Sequence, residues 1–280
     1  MAERLAGKVA VITGGGGGIG GAVAIDMAAE GAKVVVNDFG KDENGRSYAD
    51  NIVEKIKEAK GTAVANYDSV STMAGGANII NTAISNFGRI DILVNTAGFS
   101  RRGLTVDLSE EDWDSVIDVH LKGHFSCSKA AAIEMIKQKS GGRIINVSSA
   151  AGFMFFNYPL FGISYASAKA GVVGFTAKLS GELQEHGITV NALFPNARTR
   201  GFPEERPGAE PPEFVAPIVV YLATDDAENI TGQFFSAGGG DVGIYTRPMQ
   251  GTSMLMRKIG KWTLDELHQV IPRTVGGRPS

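Results

Sequence analysis

At 280 residues, 43% hydrophobic and 20% charged, the chain has the composition of a globular protein that can bury a large core without staples. Its net charge of -3, with no long basic run, argues against a nucleic-acid surface. The single cysteine, Cys127, excludes an internal disulfide and suits a reducing, cytoplasmic setting. No stretch reaches the roughly 18 apolar residues of a membrane span, and the run at residues 9–12 is too short for a signal peptide.

The elements follow one rhythm. Residues 8–12 read as a strand, 13–20 as a glycine loop and 19–30 as a helix. Further strands over 33–37, 62–66, 90–95, 143–147, 188–192 and 233–236 alternate with helices over 48–59, 73–87, 110–139 and 165–186. The strands are rich in Val and Ile and lack polar alternation, as expected of parallel strands covered on both faces. Gly31, Gly61, Gly88 and Gly187 follow helices, where a left-handed residue is wanted. Thr72 and Ser109 are suited to cap helix N-termini. The pattern predicts an α/β fold: a doubly wound, seven-stranded parallel sheet with helices on both faces, in one domain over residues 1–243. Residues 196–212, with Pro203, Pro207, Pro211 and Pro212, read as a long loop and a candidate lid. Residues 244–280 read as a C-terminal extension with a short helix, opened by Thr263 and Glu266 as a capping box, and a disordered end.

The glycine loop, Thr13-Gly-Gly-Gly-Gly-Gly-Ile-Gly20, sits between a strand and a helix. Glycines there allow a tight turn and let backbone N–H groups approach a pyrophosphate at the helix N-terminus. Asp38 ends the next strand, about 20 residues on, where a carboxylate accepts hydrogen bonds from a ribose 2′-OH and repels a 2′-phosphate. No Arg or Lys lies in the loop, so the pattern favours NAD over NADP, with Lys41 as the nearest competing cation.

Tyr165 and Lys169 stand at i and i+4, on one face of a helix. An ammonium beside a phenol stabilises phenolate, which makes Tyr a workable acid and base for a carbonyl oxygen. The strand at 143–147 leads into Ser148 and Ser149, and a hydroxyl there can hydrogen-bond the reacting oxygen. Ser149 is favoured over Ser148. His120, His124, His186 and His268 show no metal-ligand spacing, so no metal site is expected.

Over residues 7–243 the chain resembles the short-chain dehydrogenase/reductase family. The resemblance rests on Thr13-Gly14-x-x-x-Gly18-Ile19-Gly20, Asp38, Asp68, Asn95-Thr-Ala-Gly98, Ser148-Ser149, Tyr165-x-x-x-Lys169 and Pro195. It implies a Rossmann-type sheet and hydride transfer with secondary alcohols and ketones. It implies cofactor contacts at Gly14, Gly17, Gly18, Ile19 and Gly20, at Asp38 and Phe39, and at Asp68 and Ser69. Further contacts are implied at Asn95, Ala97 and Gly98, at Tyr165 and Lys169, and at Pro195 and Asn196. It also implies a homotetramer or homodimer, through the helices at 110–139 and 165–186.

Three departures stand out. His120 occupies the place of the family's usual Asn, and is expected to serve a proton relay. The Ser149–Tyr165 spacing is longer than usual, with residues 153–161 (FMFFNYPLF) carrying apolar bulk beside the site. Asn196 follows Pro195 where the family usually has Gly. With Val36-Asn-Asp38, Asp112-Trp-Asp114, Val119-His-Leu121 and Pro195-Asn-Ala197, these features resemble the branch holding the (3R)-hydroxyacyl-CoA / 17β-hydroxysteroid dehydrogenase domain of multifunctional enzyme type 2 and its bacterial relatives. They imply an apolar alcohol or ketone, or an acyl-CoA, as substrate. Arg101, Arg102, Arg198, Arg200 and Arg206 are expected near its mouth. The alternatives are another apolar secondary alcohol, terpenoid or aromatic, and a non-catalytic dinucleotide-binding protein.

Overall fold

The computed structural model describes residues 3–153, 162–199 and 210–245. The expectations for residues 154–161, for Arg200 and Arg206, for most of the proline-rich loop and for the stretch beyond Tyr245 lie outside those residues. Residues 1–247 form one contact unit.

Seven parallel strands run β1 (Val9–Thr13), β2 (Lys33–Asn37), β3 (Thr62–Asn66), β4 (Ile92–Asn95), β5 (Gly142–Val147), β6 (Ile188–Pro195) and β7 (Phe234–Gly238). Their order in the sheet, β3-β2-β1-β4-β5-β6-β7, reverses direction between β1 and β4. The central strands β1, β4, β5 and β6 bury both faces. Ala10 and Ile12 of β1 point into one core with Val34, Val36, Ile92 and Val94. Val9 and Val11 point into the other, with Val35 and Leu93. This two-sided burial is why the strands read as unbroken Val and Ile runs. Each fully buried Val, Leu or Ile stabilises the fold by roughly 1.5–3 kcal/mol.

Helices α1 (Gly18–Ala29), α2 (Tyr48–Glu58) and α3 (Met73–Phe87) are followed by α4 (Glu110–Ile117), α5 (Gly123–Gln138), α6 (Ile163–Leu183) and α7 (Ala216–Ala223). Val23 and Met27 of α1, Ile52 and Ile56 of α2 and Val219 and Leu222 of α7 cover one face. Ile79 and Ile80 of α3 and Ala131 and Met135 of α5 cover the other. Thr72 and Ser109 cap α3 and α4 as expected, accepting from the N–H groups of Gly75 and Asp112.

Three expectations are corrected. The sheet has eight strands, not seven: β8 (Asp241–Tyr245) returns antiparallel to β7. Its hairpin turns on Gly239 and Gly240, whose φ values of 59° and 92° need residues without a Cβ. The strand continues the sheet past residue 243. Second, the single helix expected over 110–139 carries a π turn at Asp118–Lys122 between α4 and α5. Buried Val116, His120 and His124 follow one another at four-residue intervals. An α-helix of about 3.6 residues per turn would rotate that row away from the core, and a wider turn keeps it facing inward. Third, Gly31, Gly88 and Gly187 take positive φ, but at the end of α2 it is Lys60 that does so, with φ 66°. Gly61 is needed for closeness instead: a Cβ there would stand 2.8 Å from Ile56 Cγ2.

Candidate active site

The C-terminal ends of β1, β2, β4, β5 and β6 open onto a cleft of about 490 Å³, at the point where the sheet order reverses. That is where open parallel sheets hold their ligands. One end is the glycine loop. Gly14 and Gly18 have φ values of 64° and 52°. A Cβ on Gly14 would stand 2.7 Å from the Ala97 Cα, so β1 and the chain after β4 touch through it. No side chain caps α1, and beside Gly17 there is open space. The first N–H groups of that helix therefore face the cleft without a competing side-chain acceptor.

Asp38 follows β2 and lines the cleft with Phe39, which is 67% exposed and offers a flat apolar face. The Asp38 carboxylate is oriented by the backbone: Gly40 N donates to Oδ1 at 2.8 Å and Gly16 N to Oδ2 at 3.2 Å. Asp68 is held by a polar ladder along the strand ends. Asn37 donates to the Asn66 side chain and to the Asp68 carbonyl, each at 2.8 Å, and Asn66 donates to Asp68 Oδ2 at 2.8 Å.

At the other end, α6 presents Tyr165 and Lys169, both buried. The Lys169 ammonium donates to the Val147 carbonyl at 2.7 Å and lies 5.6 Å from the Tyr165 ring centroid. Burial pushes its pKa down to about 7. Ser148 and Ser149, at the end of β5, part company here. The Ser148 hydroxyl is buried and donates to the Lys169 carbonyl at 2.8 Å. Both residues line the cleft, but Ser149 Oγ accepts from Ala151 N at 3.2 Å, which leaves its proton for another acceptor.

His120 closes the back of the site. Its ring meets the Tyr165 ring edge-on, centroids 5.0 Å apart. Its Nε2 lies 2.6 Å from the Phe99 carbonyl and 3.0 Å from the Phe99 amide, so one tautomer donates and the other accepts. Its Nδ1 is buried with no hydrogen-bond partner among the described residues. Burial, with the nearby Lys169 charge, holds His120 well below the usual histidine range. His124, one turn on, is pushed down to about 3 by the same causes. Cys127 is buried and its thiol is pushed up to about 12, so it is inert.

Most of the sequence-predicted residues converge on this cleft: Gly14, Gly17, Gly18, Ile19, Gly20, Asp38, Phe39, Asp68, Ala97, Gly98, His120, Ser149, Tyr165, Lys169 and Pro195 all line it. Ser69, Asn95 and Asn196 do not. The Ser69 hydroxyl pairs with that of Ser71 at 2.9 Å. Asn95 is buried behind the cleft, donating to Ser128 Oγ at 3.0 Å and to Asn146 Oδ1 at 2.9 Å, which ties β4 to β5 and α5. The Asn196 amide donates to the Ala237 carbonyl at 2.8 Å, anchoring the chain to β7. Arg101, expected at the substrate mouth, lies over the Phe99 ring and pairs with Asp112 at 3.2 Å.

Sequence reasoning missed Thr96, Phe99 and Thr199, which also line the cleft. The Thr96 hydroxyl donates to the Thr13 carbonyl and the Thr96 amide donates to Thr13 Oγ1 at 3.2 Å, a clasp between β1 and the chain after β4. Its place beside Asn95 was the available signal. Thr199 stands against Gly18, with Cγ2 3.4 Å from where a Cβ would be. Nothing in the sequence around Thr199 marked it. The base of the following loop is closed by a bridge between Ala197 and Glu210. No group of three metal-binding side chains occurs among the described residues, and no described helix is long and apolar enough to cross a membrane.

A family model described as short chain dehydrogenase matches residues 8–201. The peroxisomal multifunctional enzyme type 2 of Mus musculus is 41% identical over 249 residues, 86% of this chain and 33% of its own length. This chain thus spans about a third of that relative. The 3-oxoacyl-[acyl-carrier-protein] reductase of Synechocystis is 41% identical over 251 residues, 85% of this chain and 98% of its own. A crystal structure of a short chain dehydrogenase from Mycobacterium avium superposes with a TM-score of 0.88 at 37% identity, over 98% of this chain and 97% of that one. The chain belongs to the short-chain dehydrogenase/reductase family, whose members are oxidoreductases acting on CH–OH donors.

Proposed function

We propose that the protein is an NAD-dependent dehydrogenase that interconverts a 3-hydroxyacyl and a 3-oxoacyl thioester, of the (3R)-hydroxyacyl-CoA class. A hydroxysteroid is the second substrate to try. The observation that carries the chemistry is the buried Tyr165–Lys169 pair facing Ser149 across the end of the glycine-loop cleft. The substrate class is supported by the likeness to the peroxisomal multifunctional enzyme type 2 and to the 3-oxoacyl-[acyl-carrier-protein] reductase.

The cleft suits a dinucleotide on the uncapped α1 N-terminus, the open space at Gly17 and the backbone-oriented Asp38. The residues from Gly14 to Gly20 would hold the pyrophosphate, and Asp38 the adenosine ribose in preference to a 2′-phosphate. Bound there, the nicotinamide supplies the hydride acceptor or donor. Tyr165 takes the hydroxyl proton as the alcohol is oxidised and returns it in the reverse direction. Ser149 donates to the reacting oxygen and fixes its position. Lys169 favours the Tyr165 phenolate by its charge. His120 pairs with the Phe99 backbone, packs edge-on against the Tyr165 ring and would offer its unpartnered Nδ1 to a water on the way to solvent.

Exposed apolar side chains at Phe125 and Ile133 on α5 and Ile163 on α6 support assembly through these helices, as a homodimer or homotetramer. The test of the substrate reading is direct. Purified protein is mixed with NAD or NADP and with (3R)-hydroxybutyryl-CoA, its (3S) isomer or a 17β-hydroxysteroid. The reading predicts reduced cofactor with NAD and the (3R) thioester. Turnover confined to an unrelated alcohol would refute it.

A further inference from the structure

Four aromatic residues gather just behind the reacting end of the cleft. Phe153 ends the short turn Ala150–Gly152 that follows Ser149. Phe194 precedes Pro195 at the end of β6, Phe234 opens β7 and Tyr245 ends β8. The Phe153 ring lies 4.9 Å from that of Phe194 and meets the Tyr245 ring edge-on at 5.3 Å. Tyr245 also meets Phe194 edge-on at 5.2 Å, and Phe194 stacks on Phe234 at 6.0 Å. Phe234 and Tyr245 are directly opposed in the antiparallel ladder, so the β7–β8 register sets the position of the Tyr245 ring.

None of these four rings lines the cleft, yet two of them adjoin its walls. Phe194 is joined to Pro195, and Phe153 ends the turn whose first hydroxyl is that of Ser149. That turn is small. Its internal bonds are Ala151 N to Ser149 Oγ at 3.2 Å, Gly152 N to the Ser149 carbonyl at 3.1 Å and Phe153 N to the Ala150 carbonyl at 3.2 Å. On its inner side it rests on α6. A Cβ at Gly152 would stand 2.5 Å from Ala170 N and 2.7 Å from the Lys169 carbonyl carbon. The turn that carries Ser149 is therefore held between the backbone of α6 and an aromatic cluster completed by β8.

We propose that Tyr245 is a positioning residue: by packing on Phe153 and Phe194 it fixes the Ser149 hydroxyl relative to Tyr165. The proposal rests on the reading that Ser149 acts on the substrate oxygen. A hydroxyl on a three-residue turn is displaced by small changes at the turn's end, and a displacement of about 1 Å at a reacting centre costs on the order of a hundredfold in rate.

The experiment uses the full-length protein with NAD and (3R)-hydroxybutyryl-CoA as the probe. It compares Tyr245→Ala, Tyr245→Phe, Ser149→Ala and the Tyr245→Ala/Ser149→Ala double variant. Tyr245→Ala is expected to lower kcat by on the order of tenfold or more while KM for NAD is unchanged, and Tyr245→Phe to restore it. In the Ser149→Ala background, Tyr245→Ala should add almost nothing, because the hydroxyl it positions is gone. Hydrogen exchange of the Ala151, Gly152 and Phe153 amides should quicken in Tyr245→Ala, with β1 and β4 unchanged. This readout needs no turnover. Fully multiplicative losses in the double variant, failure of Phe to rescue, or faster exchange throughout the sheet would each overturn the proposal. If Ser149→Ala leaves kcat intact while exchange quickens only in the turn, the role given to Ser149 fails. The brace by Tyr245 would then stand as structure alone, and its catalytic role would fall with it.

Discussion

Lys169 and Tyr165 are locked in register on α6, the ammonium nitrogen 5.6 Å from the ring centroid and tied at 2.7 Å to the Val147 carbonyl. The lysine cannot move away from the phenol without breaking a buried hydrogen bond. Its charge is also costly to keep there: burial lowers its pKa from 10.5 to about 7. Between those values the unfolded chain binds a proton that the folded one does not. Stability is therefore lost as pH falls from about 10.5 to about 7, and the full cost is present below pH 7.

Lys169→Met keeps the length of the side chain and removes that charge. In cofactor-free protein it should raise Tm most below about pH 7, by roughly 2–4 °C per kcal/mol recovered, and the gain should vanish toward pH 10.5. Turnover should be abolished. Differential scanning calorimetry across this range checks the sign, and a pH-independent change in Tm would contradict it.

The two buried histidines act at the acid end. His124 titrates at about 3 and His120 is also held well below 6.5. From 6.5 downward the unfolded chain gains protons that the folded chain refuses. Stability then falls by about 1.4 kcal/mol per pH unit for each histidine. His124→Asn should roughly halve the histidine part of the loss between about pH 7 and about pH 5, measured by urea unfolding. An unchanged pH slope would show that His124 takes up its proton equally in the folded and unfolded chain, against the depressed value.

Asp38 is the proposed determinant of cofactor choice. Asp38→Asn keeps the shape near Gly16 and Gly40 but removes the charge that a 2′-phosphate would meet. Relief of one unit of repulsion at a partly exposed site should improve NADP binding by on the order of tenfold. NAD binding should weaken. Fluorescence titration of both cofactors reads the ratio, and a ratio that does not move would remove Asp38 from this role.

Gly98 leaves room for His120. A Cβ at Gly98 would overlap the imidazole Cε1. Gly98→Ala should therefore destabilise the protein by about 1–3 kcal/mol and slow turnover by displacing the ring from Tyr165. Adding His120→Ser removes the clash and should recover part of the stability but not the rate. Additive destabilisation in the double variant would mean that the two residues do not share the space.

Much of this architecture was legible because burial on both sheet faces leaves unbroken Val and Ile runs, as in Val34–Val36. The meeting of the glycine loop, Asp38, Tyr165 and Lys169 at one cleft was legible because a tight strand-to-helix turn and a shared helix face each demand particular residues at particular offsets. What escaped has physical reasons. In β8, Val242 and Ile244 are 59% and 63% exposed, so burial imposes no pattern, and Gly239-Gly240 was the signal available. The π turn around His120 leaves its trace in two successive four-residue spacings, and each one alone is also the i, i+4 spacing of an α-helix. The separation of Ser148 from Ser149 depends on which hydroxyl meets the Lys169 carbonyl, and adjacent residues of one type carry no such information. Asn95 and Asn196 sit beside cleft-lining residues in the chain, but the Asn95 side-chain amide donates to β5 and α5 and the Asn196 backbone amide to β7.

The central claim is that Tyr165 moves the proton at the substrate oxygen. The measurement that tests it most directly is the rate of cofactor reduction by Tyr165→Phe with (3R)-hydroxybutyryl-CoA, alongside its NAD affinity. The account predicts a loss of at least three orders of magnitude in kcat, near the upper range for removing a general acid–base group, with NAD affinity within about threefold of the parent. Near-parental turnover by Tyr165→Phe would contradict it.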